Sequence, residues 1–153
     1  KIYTSSEIIP PQYISSEAKI GKSIIGDGAE IYGEVENSVI GPGVFIGKGA
    51  VVRDSIIMKE ASIGAGCVID RSIIAENVKV GENVVTNVGE DVPNKLKPKV
   101  YSFGLTTIGE DSVIPANVKI GKNTAISGET TPEDYPDGVL ESGETLIKEG
   151  DLA

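Results

Sequence analysis

SIIMKEASIGAGCVIDRSII, residues 55–74, holds one full period of a pattern that governs most of the chain. Ser55-Ile56-Ile57 opens it, Ile63 and Ile69 follow at six-residue steps, and Ser72-Ile73-Ile74 begins the next period. The same triplet stands earlier at Ser23-Ile24-Ile25 and, with valine, at Ser38-Val39-Ile40, so that successive copies lie 15, 17 and 17 residues apart. Six residues after the last aliphatic of each triplet comes another, at Ile31, Ile46, Ile63 and Val80. An internal repeat of this kind is read before local propensity.

An aliphatic every six residues does not suit a helix, whose 3.6-residue turn would scatter it over all faces. Nor does it suit one long strand, because Gly64 and Gly66 interrupt the run. Short strands separated by corners fit. With the aliphatic pointing inward, the residue two before it shares that facing. Those positions are small or modest throughout: Ala29, Val44, Ala50, Ala61, Cys67, Val78, Val84 and the four serines. A narrow interior accounts for the choice. Three hexads turn through a triangle and return the chain one layer up, to pair in parallel with the layer below at about 4.8 Å. Six or so coils would stand roughly 30 Å tall at that spacing. The expected fold is all-β, and it resembles the hexapeptide-repeat, left-handed parallel β-helix. The left hand comes from the resemblance, since the general crossover rule favours the opposite.

Along the chain, residues 1–13 carry Pro10-Pro11 and read as an extended lead-in that covers the bottom edge of the solenoid. The β-helix is expected over residues 14–126, with Val35 filling the third inward place of a short second coil and the ladder weakening at Thr86. An insertion over residues 89–107 leaves and rejoins the same solenoid, because hexads resume at Ile108, Ile114, Ile120 and Ile126. After Ile126 the repeat is expected to stop. The acidic tail, residues 127–153, has turn signals at Pro132, Pro136 and Asp137-Gly138, a small hairpin expected around Gly143, and a capping role.

The chain has 153 residues, no tryptophan and 5% aromatics, which suits stacked aliphatics better than a globular aromatic core. A chain opening on Lys1 is expected to be a piece of a longer one. Net charge is −9, of which the tail supplies −7, and this opposes nonspecific nucleic-acid binding. One cysteine makes no internal disulfide, and nothing reads as a signal peptide or membrane span, so a cytoplasmic protein is expected.

Outward positions precede the inward aliphatics. On one side they are Ile24, Val39, Ile56 and Ile73, and on a second Val51, Val68 and Val85. On the third they are expected to include Lys19, Glu30, Ser62 and Lys79, with Phe45 the exception. Contiguous exposed aliphatics mark an interface, and Ile24, Val39, Ile56 and Ile73 are the candidate interface residues.

Catalytic and metal-binding residues are not found. The chain has no histidine, whereas hexapeptide-repeat acyltransferases use a histidine base and related carbonic anhydrases hold zinc with histidines. Cys67 fits the small inward position. Gly41-Pro42-Gly43 and Gly47-Lys48-Gly49 read as corners, not phosphate loops. The best polar candidates for an effector are Lys95, Lys97 and Lys99, placed by alternation on one side of an extended loop, where they could meet a phosphate, a neighbouring subunit or the acidic tail. Arg53 and Arg71 lie near corners of adjacent coils, placed to pair with Asp54 and Asp70 or to hold an anion. Tyr13, Tyr32 and Tyr101 show no pattern.

Three stretches carry a narrower resemblance: Pro10-Pro11-Gln12-Tyr13-Ile14, the run from Tyr32 through Ile40, and above all the run from Val44 through Met58. Over roughly residues 1–126 the chain resembles the C-terminal domain of bacterial glucose-1-phosphate adenylyltransferases. That family converts ATP and glucose 1-phosphate, with magnesium, to ADP-glucose and pyrophosphate for glycogen or starch synthesis. Its catalysis belongs to an N-terminal domain with a glycine-rich, arginine-containing loop absent from this stretch. The resemblance therefore implies a regulatory and oligomerisation domain without cofactor of its own. Its implied partners are its own catalytic domain, the other subunits of a tetramer and a small phosphorylated effector, with no nucleic acid and no membrane. Some members bind effector with a lysine at the position matching Glu110, where the charge here is opposite. The same domain of a non-catalytic regulatory paralogue, and a hexapeptide-repeat acyltransferase, are the alternatives.

Overall fold

The computed structural model describes residues 10–148, so that the covering role expected of the lead-in falls mostly outside the described residues. Short parallel strands wind into a left-handed β-helix with three faces. The first face stacks six strands, from Tyr13–Ile14 through Glu30–Ile31, Phe45–Ile46, Ser62–Ile63 and Lys79–Val80 to Val113–Ile114. The second and third faces stack seven each, beginning at Lys19–Gly21 and Ile24–Ile25. Strands only two to four residues long follow from a chain that must turn a corner every six residues.

The inward columns are those that the hexads predict. Ile31, Ile46, Ile63, Val80 and Ile114 stack on the first face, and Ile40, Ile57, Ile74, Ile108 and Ile126 on the third. All are buried, each contributing about 1.5–3 kcal/mol. The small inward positions from Ala29 to Val84 are buried too. Val35 does fill the second coil, in register with Ile20 and Val52. That coil cuts its corner to Tyr32-Gly33, and only glycine fits, since a Cβ at Gly33 would run into the Ala50 carbonyl oxygen. Lys19 departs from expectation. It lies on the second face, in register with Glu34 and ion-paired to it at 3.6 Å.

The corner between the second and third faces turns through the left-handed region at Lys22, Asn37, Asp54, Arg71 and Asn123. Asn and Asp tolerate that conformation better than other side chains do. Beneath this corner the serines form a ladder. The hydroxyls of Ser23, Ser38 and Ser55 each donate to the carbonyl two residues back and accept the N–H of the serine one coil above. As expected, the ladder lapses at Thr86: on the second face the pairing jumps from Val85 with Lys119 to Val88 with Gly121, the register shifting between them, although Thr86 itself closes the core. It is buried, and its hydroxyl meets that of Ser72 at 2.8 Å.

The insertion leaves after Val88 and returns at Thr106, where Ser72 pairs with Thr106 and Ile74 with Ile108. The tail departs from expectation. Val139–Leu140 pairs in parallel with Lys119–Gly121, and Thr145–Ile147 in parallel with Thr124–Ser127. The expected hairpin around Gly143 is thus replaced by one more coil, with Leu140 and Leu146 a hexad apart, and the repeat does not stop at Ile126. On the first face two 3-10 turns, Pro132–Asp134 and Pro136–Gly138, stand where a strand would be. There Tyr135 plugs the core, its hydroxyl 2.8 Å from that of Thr130. Lys148 pairs with Asp134 at 2.8 Å and holds its carboxyl below the ordinary aspartate range.

Candidate functional site

The third face brings Ile24, Val39, Ile56 and Ile73 into one register, each on the strand next to the last. The first three are 69%, 44% and 43% exposed, and Ile73 is half-buried. Higher up the same column continues as Thr107, Ala125 and Thr145. The apolar stripe is therefore confined to the lower four coils. On the second face Val51, Val68 and Val85 are also in register, but all are half-buried.

An aromatic group escaped the sequence reading. Tyr13, Tyr32 and Phe45 stack with ring centroids 5.6 Å apart at both contacts, on the lower end of the first face where it turns toward the second. Tyr32 stands in the shortened corner, outside any hexad position, which is why no spacing linked it to the others. Loss of water, and after it the Glu30 carboxylate, hold its phenol above the ordinary tyrosine range.

The insertion is not the extended loop on which alternation of Lys95, Lys97 and Lys99 depended. Buried Asn94 bends it, its Oδ1 accepting the N–H groups of Leu96 and Lys97 at 2.9 and 2.8 Å. Its Nδ2 donates to the Asn123 carbonyl and to Thr145 Oγ1. Lys95 is taken by Glu144 of the tail, whereas Lys97 and Lys99 are exposed and make no ion pair among the described residues. Asn123 secures the other end of the insertion, accepting the Gly104 N–H and donating to Asp91 and Val92.

Neither arginine pairs with the expected aspartate. Arg71 donates to the Phe103 carbonyl at 3.1 Å, and Asp54 accepts from Asn37 at 2.8 Å. Arg53 lies in register between Glu36 and Asp70, carboxylates that oppose an incoming anion. Cys67 is a core residue, its Sγ 3.0 Å from the Gly81 carbonyl, and burial pushes its thiol up. Among the described residues no three His, Cys, Asp or Glu side chains converge as for a metal, and no helix is long and apolar enough to cross a membrane.

Three-faced coils of hexads with hydroxyl-lined corners define a class, the hexapeptide β-helix domains. Residues 12–104 match the GlmU-like C-terminal hexapeptide family, and the chain belongs to it. Within that class its relatives are glucose-1-phosphate adenylyltransferases. It is 61% identical to the one from Lachnospira eligens and 43% identical to the one from Acetivibrio thermocellus, over 99% of its own length in both cases. The enzyme of Thermotoga neapolitana is 49% identical over 96% of the chain. The chain spans only about a third of these relatives, 35–36% of their length. Among solved structures, one named for an acetyltransferase from Desulfovibrio desulfuricans superposes with a TM-score of 0.54 at 16% identity, covering 92% of this chain and 26% of the other. That likeness concerns the fold alone.

Proposed function

We propose that this β-helix is the regulatory and assembly domain of a glucose-1-phosphate adenylyltransferase, and that the chemistry is done elsewhere in the longer protein. ATP, magnesium and glucose 1-phosphate then bind a separate catalytic part, which packs on the lower third face. The observation that carries this reading is the column Ile24, Val39, Ile56 and Ile73, aligned strand by strand and turned away from the core. Exposed aliphatics in one continuous row are suited to being covered. The relatives' names supply the reaction, and the chain's share of their length leaves room for a catalytic part.

Thiol labelling tests the packing. Ile56→Cys adds an outward thiol to a chain whose one cysteine is buried. We expect the new thiol to react with maleimide at once in the 153-residue chain and slowly in the full-length enzyme. Equal rates would remove the third face from the contact. Incubated with ATP, glucose 1-phosphate and magnesium, the 153-residue chain alone is expected to form no ADP-glucose. Turnover by it would overthrow the division of labour.

A further inference from the structure

Phe103 sits in the left-handed region, φ 62°, the one aromatic among the described residues to do so. A bulky side chain there is strained, and such strain persists only where surrounding bonds over-determine it. The bonds are present. Arg71 donates to the Phe103 carbonyl, while Gly104 is held from both sides, its N–H by Asn123 Oδ1 and its carbonyl by Asn87 Nδ2. Packing does not offset the strain, because Phe103 is 82% exposed. Strain of this kind, held by hydrogen bonds and not by a core, gathers at ligand clamps.

Phe103 lines a cavity of about 250 Å³ at the root of the insertion. Pro93, Pro98 and Tyr101 share its apolar lining, and Asp91 and Asn123 are among its polar residues. Asn123 is only 3% exposed, and its Nδ2 donates to Asp91 Oδ1 at 2.5 Å, which fixes the carboxylate. The other oxygen, Oδ2, lies beside Gly104, where a Cβ would stand 3.9 Å from it, and has no partner among the described residues. Arg71 spends an N–H on the Phe103 carbonyl and makes no ion pair with Asp91. Apolar walls with a few fixed polar groups are the composition of a small-molecule site.

The chemistry of the lining selects the ligand. An ionised carboxylate only accepts, so the ligand must bring N–H donors. The faces of Tyr101 and Phe103 attract positive charge. An anion is opposed by Asp91. The volume falls below the roughly 300–1,000 Å³ of sites for drug-sized molecules, and so admits a single ring. We propose that this cavity binds a small planar organic cation, an amidinium or guanidinium group on a compact body, with its N–H donors on Asp91 and its flat side against Phe103. Such groups match a carboxylate edge to edge and stack on aromatic faces. Asn123 is the positioning residue, since it holds both Asp91 and the Gly104 N–H that fixes the Phe103 backbone. The site requires neither the assembly role of the domain nor the third-face contact.

The test is calorimetric titration of the full-length protein with benzamidinium chloride, and with benzamide as the neutral counterpart. Benzamidinium is expected to bind saturably, more weakly as salt is raised, and benzamide not to bind. Asp91→Asn keeps an acceptor for Asn123 and removes the charge. It is expected to lower benzamidinium affinity at least about tenfold, as the loss of a charge-assisted hydrogen bond does. Phe103→Gly separates a ligand role from a structural one, because glycine adopts positive φ freely. Its melting temperature is expected to hold or rise while benzamidinium binding falls. Absence of saturable binding, equal affinity for benzamide, or unaltered affinity in either variant overturns the proposal. The Ile56→Cys labelling rates are independent of every one of these outcomes, so that failure here leaves the third-face contact standing.

Discussion

The hydroxyl of Ser38 accepts the backbone N–H of Ser55, one coil above, at 3.1 Å while donating to the Glu36 carbonyl at 2.8 Å. Ser55 repeats the arrangement, donating to Arg53 at 2.6 Å and accepting from Ser72 at 3.1 Å. The left-handed corner turns one N–H per coil away from the regular strand pairing, and the serine below supplies its acceptor. The serines that open each repeat are therefore rungs, and narrowness of the interior is only part of the reason for them.

Ser55→Ala leaves the buried Ser72 N–H without an acceptor. An unsatisfied buried donor costs about 1–3 kcal/mol. Denaturant unfolding should show a loss of that size, whereas Ser55→Thr should be close to neutral, because Thr106 and Thr124 occupy the same column and bond the Gly121 carbonyl. An alanine variant as stable as the parent would show that the rungs carry no weight.

Ile63→Asp places a carboxylate between Ile46 and Val80 in a column closed to water. Burial of an unpaired charge costs several kcal/mol. We expect the variant to be insoluble or unfolded, and soluble protein with an unchanged circular dichroism spectrum would contradict the register.

Two glycines should separate sterics from backbone strain. Gly33→Ala collides with the Ala50 carbonyl, a backbone atom that cannot move aside. Gly49→Ala has open space but must hold φ 74°, at a cost of about 1–2 kcal/mol. The melting temperature should fall further for Gly33→Ala, and the reverse order would refute the shortened corner.

Burial pushes the Tyr135 phenol up to about 12 from an ordinary 10.0. The folded state thus holds that proton more tightly than the unfolded chain does. The stabilisation is fully present below pH 10 and is lost as the pH climbs toward 12, a change on the order of 2 kcal/mol. Unfolding midpoints of the parent and Tyr135→Phe should converge in that window, the variant lacking this component of the alkaline loss. Parallel pH profiles would show that the phenol does not titrate with folding.

The coils could be read in the sequence wherever aliphatics recur at six-residue steps. That holds for Ile57, Ile63 and Ile69 and for the return at Ile108, and the shortened second coil left Val35 as the one aliphatic able to fill its third inward place. The last coil could not, because a tyrosine between two 3-10 turns replaces the first-face strand and hides the hexad of Leu140 and Leu146. The outward stripe was legible because facing follows directly from the inward register. Lys95 was misplaced for a different reason: the shape of the insertion is set by Asn94 and Asn123, whose amides reach backbone about thirty residues away in sequence, and no local spacing encodes such a bond. The tail's claim on Lys95 through Glu144 has the same origin.

Strand pairing closes across the insertion as though the intervening residues were absent, Ser72 meeting Thr106 and Ile74 meeting Ile108. That corner is a port in the architecture. Polypeptide can be spliced in or trimmed away there by descent or by design while the third wall of the shaft keeps its alignment, so that new recognition chemistry can be acquired without refolding the rod that carries it.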